Sequence, residues 1–154
     1  MDTKKVIVEL GAGTGTFRDR FLPGALTIDL KASEGIDILA DAVKLPFKPE
    51  SVDEFVVNNP YEFGVESLED GVEFLEGIQT VLKPGGRIVI RAHSKNPYAQ
   101  ENRMKQAVSQ LGLTIEVRKI DAKTDFPGHI FRTTQGRRTV PNLEFVISKG
   151  GEFS

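Results

Sequence analysis

Glu9-Leu10-Gly11-Ala12-Gly13-Thr14-Gly15 sets an acid two positions ahead of three alternating glycines. Glycine lets a backbone approach a ligand closely and take positive φ without a Cβ clash, so this run can cradle a small molecule or simply make a tight turn. A dinucleotide-binding loop needs its third glycine one position later, where Thr16 stands. An acid ahead of the glycines also suits a ligand with a cationic amino-acid portion better than a pyrophosphate. Asp29-Leu30 closes a short apolar run, a position from which a carboxylate can accept both hydroxyls of a ribose. Asp41-Ala42 leads into Leu45-Pro46-Phe47, where a carboxylate can accept an adenine amino group while apolar residues flank the ring. Each aspartate also suits an ordinary turn or loop.

Farther along, Asn58-Asn59-Pro60-Tyr61 offers amides and an aromatic ring. It suits a helix cap equally well, since asparagine caps helices and proline opens them. His93, with an imidazole pKa near ~6.5, fits a base for an oxygen acceptor or a hydrogen-bonded loop histidine. His129 has no evident role. Arg132, Arg137 and Arg138, with Lys119 and Lys123, can hold the phosphates of a nucleic acid or remain a solvated basic loop. Phe126 and Phe131 are the aromatics near them, thin support for a base-stacking platform. The chain has no cysteine, which excludes disulfides and thiolate metal sites, and it shows no metal-ligand cluster.

These residues need strands and helices to position them. Val6-Ile7-Val8 with Leu10 reads as a buried strand, and 14–22 as a short helix stopped by Pro23-Gly24. Leu26 to Leu30 and Ile38 to Ala40 are two more strands, separated only by Lys31 to Ile36, too few residues for an ordinary crossover helix. Glu54 to Val57 is a fourth strand. Val65, Leu68, Val72, Leu75, Ile78 and Leu82 then recur at helical spacing, and Lys83-Pro84-Gly85-Gly86 is expected to end that helix with a cation in its last turn. Arg87 to Ala92 is a fifth strand, and Asn96-Pro97 is expected to open a helix with Met104, Val108 and Leu111 inward. Thr114 to Ile120 and Leu143 to Ser148 complete seven strands, around a long polar and basic segment from Asp121 to Asn142. Alternating strands and helices predict an α/β, doubly wound, mostly parallel seven-stranded sheet with helices on both faces. Right-handed crossovers then bring every motif above to one carboxyl edge.

The chain's 154 residues and 39% apolar content fit a single domain spanning 1–154. Nothing resembles a signal peptide or membrane span, and the missing cysteines suit the cytoplasm. Net charge is −2, but residues 1–80 carry −9 and residues 81–154 carry +7. Such asymmetry marks a surface for an anionic partner or two mutually compensating halves.

The order of the Glu9–Gly15 run, Asp29, Asp41-Ala42-Val43-Lys44-Leu45-Pro46-Phe47 and Val81-Leu82-Lys83-Pro84-Gly85-Gly86-Arg87 resembles the class I, Rossmann-like S-adenosylmethionine-dependent methyltransferases, in a minimal form with a shortened second crossover. The resemblance covers roughly residues 5–92. It implies that Glu9 and the loop of Gly11, Ala12, Gly13 and Gly15 hold the methionine portion, Asp29 with Leu30 the ribose, and Asp41 with Ala42 the adenine. Amino-group members of the family carry Asn/Asp-Pro-Pro-Tyr/Phe after the fourth strand. Transferred here, Asn58 and a backbone carbonyl would accept the target amine's hydrogens beside the cofactor, with Pro60 shaping the loop and Tyr61 stacking on a flat acceptor. Asn59 departs from that pattern. The expected function is methyl transfer to an amino or amide nitrogen of a nucleobase or similar acceptor; methylation of a small metabolite and a catalytically silent binding module are the alternatives. The sequence begins almost at its first strand, without the N-terminal helices that often lid the pocket in relatives, so the expectation is an open site, a site covered by a partner, or a domain cut from a longer protein.

Overall fold

A computed structural model describes residues 5–13, 15–30, 33–132 and 137–150. Its strands are β1 (Ile7–Leu10), β2 (Leu26–Asp29), β3 (Ile38–Leu39), β4 (Val52–Asn58), β5 (Leu82–Ala92), β6 (Thr114–Lys119) and β7 (Leu143–Ser148). Its helices are α1 (Thr16–Phe21), α2 (Leu68–Val81), α3 (Glu101–Gln110) and α4 (Ala122–Asp125). The strands form one seven-stranded sheet in the order β3-β2-β1-β4-β5-β7-β6, with only β7 antiparallel to its neighbours. The doubly wound α/β expectation therefore holds. Strand order reverses between β1 and β4, the crevice where such sheets bind ligands.

Side-chain alternation gives the sheet two unlike faces. Val8, Leu10, Phe55, Val57, Ile88, Ile90, Phe145 and Ile147 point to the face covered by α2 and α3, joining Phe74, Leu75, Ile78, Met104 and Val108 in the main core. Residues of the opposite parity include Glu9, Thr27, Asn58, Arg91 and Glu144, which are polar. A smaller cluster covers that face: Phe17, Val56, Ala122 and Phe131, with Ile7, Phe21, Leu22 and Phe126 against it. The apolar face holds the domain together and leaves the other free to carry chemistry.

The abbreviated crossover replaces its helix with a polar knot. The Asp37 carboxylate accepts from the Thr27 N–H at 3.0 Å and from Arg18 Nη1 at 2.8 Å, while the Thr27 hydroxyl donates to Gly35 O at 2.6 Å. The Thr27 amide first, and Arg18 beside it, hold the Asp37 carboxyl below its ordinary range. Lys31, within this crossover, and Thr14, the expected helix start, lie outside the described residues.

Two boundary expectations need correction. Lys83 is not in the last turn of α2, because that helix is capped by Leu82 and β5 begins at once. Pro84 disfavours helical backbone at the residue before it, and Lys83 Nζ instead reaches Asp53 at 3.3 Å. Asn96-Pro97 does not open α3 either; Gln100 is the N-cap. The Asn96 side chain accepts from the Tyr98 N–H at 2.8 Å, closing a local turn that competes with helix.

Gly15, at φ 78, is the N-cap of α1, and a Cβ added there would lie 2.5 Å from Gly35 O in the knot. Gly24, at φ 90, has open space around the same position. Gly15→Ala should therefore destabilise the domain by about 2–4 kcal/mol through strain and backbone clash, and Gly24→Ala by only about 1 kcal/mol. Urea unfolding of the two variants checks this, and equal losses would refute the Gly15–Gly35 contact.

Candidate functional site

The glycine loop is fastened to the end of β2. Gly11 N–H and Ala12 N–H both donate to Ile28 O, at 2.8 and 3.2 Å, and Gly13 N–H donates to Asp29 Oδ2 at 2.8 Å. Asp29 is thus buried and shapes the loop as well as facing the crevice. Gly13, at φ 63, has no described residue beyond its chain neighbours within 4 Å of where a Cβ would sit, leaving room there for a ligand. Beside the loop lies a cavity of about 240 Å³ that brings together Gly11, Asp29, Leu30, Asp41, Ala42 and Tyr61. Asp41 is exposed and accepts from the Val43 N–H at 3.0 Å, while Ala42 is buried. A broader trough of about 500 Å³ beside α3, lined by Ser94, Gln100 and Arg103, holds none of the predicted residues.

Glu9 lies on the polar face of β1, 2% exposed. Its Oε2 accepts from Asn58 Nδ2 at 3.3 Å, and its Oε1 is buried with no hydrogen-bond partner among the described residues. Burial pushes its pKa up to about 7, against the opposing pull of Asn58, Arg18 and Arg91. A buried, half-satisfied carboxylate two residues before an open glycine loop fits a cationic amino group. The cavity's two aspartates and its apolar Leu30 and Ala42 fit an adenosine, so the residues present suit S-adenosylmethionine.

Asn58 is held from both sides. Its Nδ2 donates to Glu9, and its Oδ1 accepts from Arg91 Nη1 at 3.3 Å. Arg91 continues the row, with Nε 2.8 Å from Glu144 Oε2, and Arg118 pairs with the other Glu144 oxygen. The Arg91 guanidinium also lies over Phe126, 4.6 Å from the ring centre, and over Phe17 at 5.6 Å. Sequence reasoning missed Arg91 and Glu144. Their signal was a charged residue inside an otherwise apolar strand, Ile88-Val89-Ile90-Arg91-Ala92 and Leu143-Glu144-Phe145.

Asn59 explains its own departure from proline. Its φ is 50°, which a pyrrolidine ring cannot adopt. Its N–H donates to Arg91 O at 2.8 Å and its Nδ2 to Thr139 O at 2.9 Å, leaving Oδ1 buried without a partner among the described residues. It does not cap α2, whose N-cap is Ser67, accepting from the Asp70 N–H at 3.1 Å. Pro60 is buried, and its carbonyl accepts from Asn96 Nδ2 at 3.0 Å. The Tyr61 and Tyr98 rings lie 5.2 Å apart. The second Asn-Pro-Tyr tripeptide, expected to cap a helix, instead buttresses the first.

Other expected groups fall elsewhere. His93 Nδ1 accepts from the Lys95 N–H at 3.1 Å, a loop hydrogen bond. His129 packs against Phe17, Phe21 and Phe131, and burial first, then Arg20, lowers its pKa. Phe126 and Phe131 join that cluster, so they are no open stacking platform. Arg132 pairs with Arg138 in an isolated antiparallel bridge, and both are exposed, as is Arg137. Among the described residues no acidic or histidine cluster could hold a metal ion, and no helix is long and apolar enough to cross a membrane.

Comparison with known proteins agrees with this geometry. A family described as "Methyltransferase domain" matches residues 8–90. A demethylmenaquinone methyltransferase of Streptomyces avermitilis is 27% identical, over 94% of this chain and 67% of that protein. One from Clavibacter sepedonicus is 33% identical over 59% of this chain and spans 42% of its own length. Among solved structures, a SAM-dependent methyltransferase from Methanosarcina mazei superposes with a TM-score of 0.68 at 13% identity, covering 99% of this chain and 95% of that one. A chain from the complex of the Haloferax volcanii methyltransferase activator Trm112 gives 0.61 at 19% identity, covering 99% and 85%.

The raised Glu9 value has a measurable consequence. Its folded pKa of about 7 lies above the ordinary 4.5, so between those values the folded state keeps a proton that the unfolded chain has lost. Stability from this group should therefore fall as pH rises from about 4.5 to 7, by on the order of 2–3 kcal/mol, and level off above that. Glu9→Gln should remove that slope and be more stable than wild type at pH 8. Denaturation at pH 5 and pH 8 decides it: a stability difference between variant and wild type that is equal at both pH values would refute the shift.

Proposed function

The chain belongs to the methyltransferase domain family, as an S-adenosylmethionine-dependent methyltransferase of Rossmann-like fold, and from that premise we propose that it methylates an amino or amide nitrogen of a flat acceptor such as a nucleobase. The observation that carries this reading is the Glu9–Asn58 hydrogen bond, which joins the ammonium-seeking carboxylate to the end of β4, where the acceptor loop begins. In the proposed arrangement Glu9 and the loop of Gly11, Ala12, Gly13 and Gly15 bind the amino-acid end. Asp29 accepts from the ribose hydroxyls beside Leu30, and Asp41 accepts from the adenine amino group above Ala42.

Asn58 Oδ1 has two lone pairs, and the bond from Arg91 uses one. The second accepts an N–H of the target amine and strengthens as that nitrogen gains positive charge. The row from Glu9 to Glu144 fixes the amide plane beforehand, so orientation costs little at the moment of reaction. Pro60 fixes the loop through Asn96, and Tyr61 offers its ring to the acceptor. When bound, S-adenosylmethionine would supply an electrophilic methyl group on a sulfonium leaving group, toward which Asn58 would hold the acceptor nitrogen, the proton shed by that nitrogen passing to water.

A second reading, methylation of a small ring compound, is favoured by the curated relatives, which are named demethylmenaquinone methyltransferases. A covering partner is also part of the proposal: Leu30 and Leu39 are 69% and 60% exposed beside the cavity, and the Haloferax volcanii structure is a complex with an activator. Mass spectrometry of nucleic-acid, protein and metabolite pools after incubation with labelled cofactor separates these acceptors.

Three substitutions test the roles, best at pH 8 where Glu9 is ionised. Asp29→Ala should weaken S-adenosylhomocysteine by about 1.5–3 kcal/mol in calorimetry. Asn58→Ala should lower turnover by ~100-fold, the scale of one lost preorganised transition-state contact, with cofactor affinity changed far less. Tyr61→Ala should raise the acceptor KM. An unharmed rate in Asn58→Ala would end the nitrogen reading and direct attention to His93.

A further inference from the structure

The two sides of the cleft carry opposite charge. Glu9, Asp29, Asp41 and Glu62 lie around the cofactor side, which suits a cationic sulfonium and ammonium. Across the acceptor loop stand Arg132, Arg137 and Arg138, all exposed, with Arg132 and Arg138 paired on antiparallel stretches. Topology sets them there, because β6 runs parallel to β5 and the segment leaving it emerges on the same carboxyl edge as β1, β4 and β5.

Two anchors fix the residues flanking the bridged arginines, Phe131 and Thr139, against the site. Phe131, 4% exposed, packs with Phe126 and His129 on Phe17 of α1. Thr139 N–H donates to Phe131 O at 3.1 Å, and Thr139 O accepts from Asn59 Nδ2 at 2.9 Å. One hydrogen bond thus has Arg138 adjacent to its acceptor residue and Tyr61 two positions from its donor residue. Asn59 bears left-handed backbone and a buried oxygen with no partner among the described residues, both unfavourable. What that cost secures is the coupling of the acceptor loop to Thr139, next to Arg138.

Guanidinium groups present a planar fork of donors that matches phosphate oxygens in pairs, and they stay charged at any physiological pH. We infer that the bridged pair Arg132 and Arg138 binds a phosphate of the methyl acceptor, which is therefore a nucleotide unit, its base toward Tyr61 and its phosphate on these arginines. The inference rests on the nitrogen-methylation reading above and narrows its acceptor class. A free nucleotide and a nucleotide within a nucleic-acid strand share this chemistry.

The test uses the whole chain saturated with S-adenosylhomocysteine, and three probes: the four ribonucleosides, their 5′-monophosphates, and short single-stranded RNA and DNA of mixed sequence. Binding is read by calorimetry and fluorescence anisotropy at ~50 mM and ~200 mM salt, a range over which phosphate contacts weaken steeply. Phosphate-bearing probes should bind at least tenfold more tightly than nucleosides, and the Arg132→Ala/Arg138→Ala double variant should abolish that difference. S-adenosylhomocysteine affinity and melting temperature should stay within twofold and ~2 °C of wild type. Asn59→Ala should weaken phosphate-bearing probes as well, while Lys119→Ala, outside the bridged pair, should not. Tighter, salt-sensitive binding of strands assigns the acceptor to nucleic acid, and monophosphates binding as well as strands assign it to free nucleotides. Nucleosides binding as tightly as monophosphates, or a double variant that keeps full phosphate affinity, overturns the inference. Failure of the wild type to bind S-adenosylhomocysteine would instead break the cofactor reading itself.

Discussion

Much of the site depends on the buried charge row Asn58–Arg91–Glu144. Glu144 is 4% exposed and Arg91 is partly covered by Phe17 and Phe126, so both charges are largely withdrawn from water. Buried ions are tolerable only when each is paired and hydrogen-bonded, and removing one partner strands the other at a cost of several kcal/mol. Here Glu144 receives Arg91 on one oxygen and Arg118 on the other, while Arg91 has a remaining donor for Asn58. The row crosses β4, β5, β7 and β6 in register, so strand pairing and side-chain pairing enforce each other. A slip of one residue would turn the charges into the apolar core.

The cofactor half of the site is governed by a different economy. The amides of Gly11, Ala12 and Gly13 are all spent on the end of β2, so the loop is preshaped by the protein rather than by its ligand. Asp29 therefore does two things, fixing the loop and facing the cavity. The polar knot of Arg18, Thr27 and Asp37 supports both from below and takes the place of a crossover helix. Glu9 is left as the strained member, a carboxylate held near neutrality by burial until a cation or a proton satisfies it.

Much of this architecture was legible in residue order. Periodicity located all seven strands, and the short gap between Leu30 and Ile38 foretold the missing helix. Boundaries failed where a local contact outweighed pattern: Pro84 forced Lys83 out of α2, and the Asn96 side chain closed a turn where a helix start was expected. Asp29, Asp41 and Tyr61 meet at one cavity, as motif spacing suggests. Arg91 and Glu144 were invisible because a charge in a strand says nothing of its partner until strand order is known. The aromatic cluster of Phe17, Phe21, Phe126, His129 and Phe131 was hidden for the same reason, its members lying more than a hundred positions apart.

Asn59 ties two distant stretches of chain to a common history. A proline at this position would forbid the left-handed backbone and delete the amide that holds Thr139. Conversely, a chain without the segment from β6 to β7 would gain nothing from asparagine here. Relatives should therefore fall into two lineages, one with proline and a free-standing loop, the other with asparagine and a segment that receives it. Chimeras that exchange one feature without the other would inherit the strain of both.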